Sequence, residues 1–163
     1  MCTGASIASP AQPGAASHAG NAPGPPRTCH RRYPGRADQV RHVRAFLAGL
    51  LEGCPAADDA VLLADEIAGN AVKFSRSREP GGTFTVTVQV CPGHWVRVEV
   101  ADDGGPGVPH LRDGGGHGDI GDATGGWGLQ IVRALTGEWG VTGDASGRIV
   151  WFVLPWGRHE PPR

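Results

Sequence analysis

Residues Asp58–Ser75 read DDAVLLADEIAGNAVKFS, a stretch whose apolar residues recur at the 3.6-residue period of an α-helix. Four of them fall on one side of that helix, namely Leu63, Ile67, Ala71 and Phe74. Asp58 is the predicted N-cap, and Asp59 suits the positive end of the helix dipole. The pattern predicts a helix that anchors the fold and ends between Ser75 and Ser77.

A polar stripe runs beside the apolar one. Glu66, Asn70 and Lys73 follow each other at steps of four and three, along the edge of a face that should be buried. Buried polar groups need partners, and an acid, an amide oxygen and a cation in a row suit a hydrated divalent metal with phosphate oxygens. The alternative is a solvated helix flank with an (i, i+4) hydrogen bond.

The composition is that of one globular domain. With 163 residues, 39% hydrophobic and 19% charged, the chain suits one full-sized core and is short for two domains. A net charge of -1 and the lack of a basic run argue against direct nucleic-acid or membrane binding. The four cysteines lack zinc-ligand spacing and no apolar run suits a membrane span, so we expect reduced thiols and a cytoplasmic location.

The chain divides into a tail, a domain and a short end segment. Residues 1–27 are rich in Ala, Gly and Pro and are predicted to be a disordered tail. The domain is expected over residues 28–156, with a C-terminal tail at 157–163. It opens with a short edge strand at Thr28–Tyr33 and an amphipathic helix at Arg36–Leu51.

The next segment changes to the two-residue period of β-strands. Valines alternate with polar residues from Thr83 to Val90 and again from Val96 to Ala101, which predicts an antiparallel hairpin around Pro92-Gly93. The alternation places Asp102 inward with the valines and Asp103 outward. An inward carboxylate needs a partner, although an Asp before Gly also commonly bonds its own turn.

A glycine-rich loop occupies residues 108–123 and runs into Thr124–Leu129, where a helical pattern begins. Such a loop is either a functional lid or a disordered excursion. Glycines at a helix N-terminus leave N-H groups free for an anion, but a flexible loop end is the commoner explanation. Trp139–Thr142 and Ile149–Leu154 are predicted to be a closing pair of strands.

Three motifs therefore occur in a fixed order, at Glu66–Lys73, Asp102–Gly107 and Gly126–Leu129. This order resembles the N box, the Asp-x-Gly box and the last glycine box of the GHKL ATPase superfamily. Over residues 28–155 the chain is similar, more narrowly, to the small anti-sigma-factor serine kinases of the SpoIIAB and RsbW type. The resemblance implies a Bergerat fold, an α/β (α+β) two-layer sandwich with helices on one face of a mixed, mainly antiparallel sheet.

The resemblance also implies ATP and Mg2+ as cofactors. Asn70 would hold the metal, Lys73 would meet phosphate oxygens, and Glu66 would be the general base or would orient a water. Asp102 would accept from the adenine amino group. The glycine boxes would complete the site, with the base and ribose near Gly104 and Gly107 and the phosphates near Gly126, Gly128 and Leu129.

The chain departs from the family pattern at three places. Phe74 stands where many relatives have His, and Ile149 stands where a supporting Thr is frequent. An extra glycine leaves the choice between Asp102 and Asp103 open, and strand phase favours Asp102. These departures bear on nucleotide affinity, while the metal ligand and the base are retained.

The function that follows is an ATP- and Mg-dependent protein serine/threonine kinase. It would bind and phosphorylate an anti-anti-sigma-like protein, with a sigma factor as a further partner. The sequence is also compatible with a homodimer. The alternative is a non-catalytic ATP-binding module that regulates transcription through protein contacts. A structural protein with a degenerate site is the third reading.

Overall fold

The computed structural model describes residues 24–106, 136 and 138–156. In that part, two helices cover one face of a five-stranded sheet. The strands are β1 Arg27–Pro34, β2 Thr83–Cys91, β3 Trp95–Asp102, β4 Glu138–Asp144 and β5 Gly147–Pro155. The helices are α1 Val40–Leu50 and α2 Ala57–Phe74, with short 3-10 helices at Ala37–Gln39 and Arg76–Arg78.

The strands lie in the order β1-β2-β3-β5-β4. Every described pair is antiparallel, so the sheet predicted to be mainly antiparallel has no parallel pair among the described strands. The predicted alternation is confirmed, because the valines of β2 and β3 are buried under the helices while the residues between them are half-exposed. The structure thus confirms the α+β two-layer sandwich and both predicted strand pairs.

Helix α2 is the main cover of the sheet and packs chiefly on β3. Its predicted apolar stripe is buried at Leu63, Ile67 and Ala71. Phe74 was predicted to share that stripe and is instead 55% exposed. It is the last residue of the helix, and beyond it the buried positions belong to Ser75 and Ser77, whose hydroxyls bond backbone carbonyls.

The predicted N-cap of α2 is also wrong. The helix begins at Ala57, so Asp58 and Asp59 both lie in its first turn. The N-cap residue is Ala56, which makes no side-chain capping bond. The tight turn before the helix replaces a cap, because the Ala57 N-H donates to the Cys54 carbonyl at 3.0 Å.

Helix α1 lies beside α2 and buries Val43 and Leu47 in the same core. On the outer side of the pair, the Arg44 guanidinium binds the Asp65 carboxylate through two nitrogens. No helix among the described residues combines the length and the apolar character that a membrane span requires. The two helices therefore form one layer over the sheet.

Candidate functional site

The end of α2 and the end of β3 meet at one edge of the molecule. The backbone N-H of Arg76, just after α2, donates to the Gly104 carbonyl at 2.7 Å. The Arg76 guanidinium donates to the carbonyl of Asp103 at 3.3 Å and to that of Ala145 at 2.6 Å. These bonds join the C-terminal end of the helix to the turn that follows β3.

Asp102 lies at the inner side of that edge, as its strand phase predicts. Its side chain is 5% exposed, and it faces the Arg148 guanidinium with 3.6 Å between Oδ1 and Nε. The same oxygen accepts the Gly104 N-H at 2.7 Å, which is the turn-forming bond considered as the alternative role. Within the described part of the chain, Oδ2 accepts no hydrogen bond, so the carboxylate retains an acceptor for a ligand.

Burial raises the pKa of Asp102, and the Gly104 N-H and the Arg148 charge act against that rise. Because the folded state then holds the proton more tightly than the unfolded chain, this group's contribution to stability is fully present below its ordinary pKa. That contribution is lost as pH rises through the raised value. The ionised carboxylate is the stronger acceptor, so the binding of a ligand that donates to it weakens as pH falls through the same value.

The strand phase predicts that Asp103 points outward. In the structure its carboxylate is held by the start of β2. Its Oδ2 accepts the backbone N-H of Thr83 at 2.8 Å, and its own N-H donates to the Ser77 hydroxyl oxygen at 2.9 Å. The strand has already ended there, so alternation no longer decides the direction of the side chain. Asp103 therefore fastens the turn to the start of β2, while Asp102 presents the inward carboxylate.

Gly104 is required by the local backbone. Its φ is +69°, a left-handed conformation that side chains disfavour. A Cβ on this residue would press on the carbonyl of Ala145 and would lie 2.7 Å from the Gly147 nitrogen. The predicted role of Gly104 beside a base stays a prediction, since the turn alone explains the glycine.

Replacement of Gly104 by alanine is expected to lower the free energy of unfolding by about 2 to 5 kcal/mol, from backbone strain and overpacking together. Urea denaturation followed by circular dichroism measures it. Gly81→Ala is the matched control, because Gly81 also has a positive φ, of +83°, but open space around its Cβ position. The control should lose only about 1 to 2 kcal/mol. Equal losses would show that the contact with Ala145 is unimportant.

The polar stripe of α2 leads toward this edge. Glu66 and Asn70 are half-buried and Lys73 is exposed. Neither Glu66 nor Asn70 forms a side-chain hydrogen bond or ion pair with another described residue, so the (i, i+4) bond considered as an alternative is not formed there. Half-buried polar groups that lack protein partners are available to a ligand.

The side chain of Asn70 offers an amide oxygen, a kind of ligand that Mg2+ accepts. Among the described residues, no group of three or more His, Cys, Asp or Glu side chains is placed to hold a metal. An amide oxygen such as that of Asn70 suits a hard cation that keeps several waters and takes its other ligands from phosphates. Asn70 therefore fits the predicted metal role.

Four predicted site residues, Gly107, Gly126, Gly128 and Leu129, lie outside the described residues, and so do the predicted lid and phosphate-binding helix start. Their roles remain predictions. The described part of the site therefore consists of the polar stripe of α2 and of Asp102 and Gly104 at the end of β3.

Sequence reasoning missed Arg148 and misplaced the position that supports Asp102. The expected supporting position was Ile149, but Ile149 pairs with Ala101 on the outer face of the sheet. Arg148 is the residue opposite Asp102. The alternation of β5 could have indicated Arg148, since this residue is in phase with the inward residues Val150 and Phe152.

Two comparisons relate the chain to known proteins. A family described as the histidine kinase-like ATPase domain matches residues 33–154. The crystal structure of the RsbU and RsbW domains of Rv1364c from Mycobacterium tuberculosis matches 83% of this chain at 20% identity and a TM-score of 0.57. The histidine kinase domain of a blue-light activated histidine kinase from Erythrobacter litoralis matches 74% of this chain at 23% identity and a TM-score of 0.44.

The two solved structures are longer than the matched region. The chain spans 34% of the Mycobacterium tuberculosis structure and 60% of the Erythrobacter litoralis domain. The search of curated proteins found no match. At these identities, the first likeness supports the two-layer fold and says nothing about the reaction.

Proposed function

The chain belongs to the histidine kinase-like ATPase domain family, and on that premise we propose that it is an ATP- and Mg2+-dependent protein serine/threonine kinase of the anti-sigma-factor type. The observation that carries the proposal is Asp102, a buried carboxylate whose Oδ2 accepts no hydrogen bond from another described residue. It is the last residue of β3, the strand on which the helix that carries Glu66 and Asn70 packs. We propose a cytoplasmic location, where ATP and the proposed partner proteins are found.

Each described residue has one role in this proposal. Asp102 would accept from the amino group of adenine through Oδ2, and Asn70 would hold Mg2+ through its amide oxygen. Lys73, which is exposed at the end of α2, meets phosphate oxygens as a point charge. When bound, Mg2+ would neutralise charge on the triphosphate, so positioning and electrostatics would supply most of the rate.

Glu66 acts on the acceptor. The serine oxygen of a partner protein forms a bond to the γ-phosphorus as the bond from that phosphorus to the bridging β,γ-oxygen breaks. The serine proton passes to the Glu66 carboxylate, and ADP leaves with the electron pair of the broken bond. Glu66 is half-buried on the flank of α2 without a described side-chain partner, which leaves it available to accept that proton.

The partner in this proposal is a small anti-anti-sigma-like protein, with a sigma factor as a second partner. The similarity to a structure that contains an RsbW domain supports the kinase type, as a proposal only. The second candidate function is an ATP-binding interaction module without transfer. The exposed Phe74 favours it, because many similar kinases carry a His at that position, next to the basic residue of the stripe.

Binding and transfer are tested separately. ATP with Mg2+ at millimolar concentration is expected to raise the melting temperature, since a ligand that binds only the folded state stabilises it. Transfer is then measured from γ-labelled ATP to a small anti-anti-sigma-like protein from the same genome, with its serine-to-alanine variant as control. Binding without transfer would favour the interaction module, and a melting temperature that ATP does not change would contradict both.

A further inference from the structure

Arg148 is a buried cation that the proposed reaction does not yet use. It lies on β5 directly opposite Asp102 of β3, on the face of the sheet that the helices cover. Its side chain is only 6% exposed, and that of Asp102 is 5% exposed. Arginine is rarely buried to this degree unless it is paired.

The pair interrupts an apolar face. The residues in phase with Arg148 on β5 are Val150, Phe152 and Leu154, and those in phase with Asp102 on β3 are Val96, Val98 and Val100. Removing two charges from water costs several kcal/mol per ion, and apolar residues of similar size often serve a sheet equally well. Packing alone therefore does not account for an ion pair at this end of the two strands.

The geometry of the pair fixes one oxygen of Asp102. Oδ1 accepts the Gly104 N-H at 2.7 Å and faces Arg148 Nε at 3.6 Å. Both contacts fall on the same oxygen, so together they hold Oδ1 in place. Oδ2 is then the oxygen with acceptor capacity for a ligand, as judged from the described residues.

We propose that Arg148 is a positioning residue for base recognition, which holds Asp102 ionised and turned so that Oδ2 accepts the amino group of the adenine ring. This proposal rests on the proposed function, because it takes Asp102 to be the base-binding group. Arg148 acts through Asp102 and needs no contact with the nucleotide itself. A nearby cation favours the ionised carboxylate, whereas burial disfavours it.

Two charged residues in the described part of the chain act on the pKa of Asp102. Arg148 from β5 lowers the pKa of Asp102 and the neighbouring Asp103 raises it, while the β2 residue opposite Asp102 is the apolar Phe84. Helix α2, which carries Glu66 and Lys73, also packs on β3. Arg148 is thus the described cation that opposes burial at this carboxylate.

The test follows ATP affinity against pH by isothermal titration calorimetry, between pH 4.5 and 8. The wild-type protein should bind ATP with Mg2+ and lose affinity toward acid. Arg148→Gln should move the pH midpoint of that loss upward by about one unit or more, since an opposite charge at this distance shifts a carboxyl pKa by about one to three units. Arg148→Lys keeps a cation and should leave the midpoint within about half a unit of the wild type.

The control is Arg97→Gln, which removes one positive charge from the other face of β3, where Arg97 pairs with Glu99 and lies over Trp151. Its midpoint should equal that of the wild type. If Arg148→Gln does not fold, Arg148→Thr replaces it, because threonine suits a strand and carries no charge. Its midpoint should also rise by about one unit or more.

The outcomes separate this inference from the proposed function. A neutral Arg148 variant that melts at a lower temperature but keeps the wild-type midpoint would make Arg148 a structural residue only and would overturn the inference. A folded wild-type protein that binds no ATP would overturn the proposed function first. Rescue of the midpoint by lysine, together with its rise in glutamine or threonine, supports Arg148 as the positioning residue.

Discussion

Glu66→Gln is expected to slow phosphate transfer to a partner serine by about 100- to 10,000-fold, the usual contribution of a general base. Glutamine keeps the shape of the side chain and removes its ability to take the serine proton. ATP affinity should change less than about threefold, because a base acts in the transition state and contributes little to ground-state binding. Single-turnover transfer from γ-labelled ATP measures the first quantity and calorimetry the second.

Asp65→Asn is the matched control for this experiment. Asp65 is the preceding carboxylate on the same helix, but it binds Arg44 of α1 on the outer side of the helix pair. Its replacement should leave the transfer rate nearly unchanged and lower stability by about 1 kcal/mol or less, since exposed pairs contribute little. Equal transfer by the wild type and Glu66→Gln would remove Glu66 from the mechanism.

The fold was predictable because most of its elements carry an uninterrupted period. The alternation of valines with threonines in β2 and with polar residues in β3 specified one buried face, and a shift by one residue would have exposed every valine. The 3.6-residue spacing of Leu63, Ile67 and Ala71 likewise specified the buried face of α2. Periodicity works here because the sheet and the helices share one continuous core.

The errors fall where the elements end. Phe74 continues the helical spacing of α2, but it is the final residue, and serines with backbone hydrogen bonds fill the buried positions beyond it. Asp103 follows the end of β3, where a tertiary bond to the Thr83 N-H sets its direction. Neither contact can be deduced from local pattern, because each depends on how distant segments meet.

In the candidate site, too, one residue could be predicted from the sequence pattern and another could not. Asp102 was assigned correctly to the inward side because it is the last residue of a strand that keeps its phase. Arg148 was not predicted because the family resemblance implies a supporting residue at Ile149, whereas the register of β5 against β3 places Arg148 opposite Asp102. The residue that supports the carboxylate can be identified only from the register between β3 and β5. The sequence shows the alternation within each strand but not that register.

Asp102→Asn is expected to weaken ATP binding by about 10- to 100-fold, the effect of leaving a buried polar contact unmade. The amide has nearly the same shape, but it carries no charge to attract the amino group of adenine. It also removes the charge that faces the buried Arg148 guanidinium, and breaking a buried ion pair typically costs about 3 to 5 kcal/mol of stability. Calorimetry with ATP and Mg2+ and urea denaturation measure the two effects.

Asp103→Asn separates the two neighbouring acids. The amide oxygen of asparagine can still accept the Thr83 N-H, so the turn is kept and only the charge is lost. ATP affinity should then stay within about twofold of the wild type, since Asp103 is directed to the start of β2 while Asp102 is directed inward toward Arg148. If Asp103→Asn instead abolishes binding and Asp102→Asn does not, the base-binding carboxylate is Asp103. The positioning role of Arg148 would then fall with the assignment of Asp102.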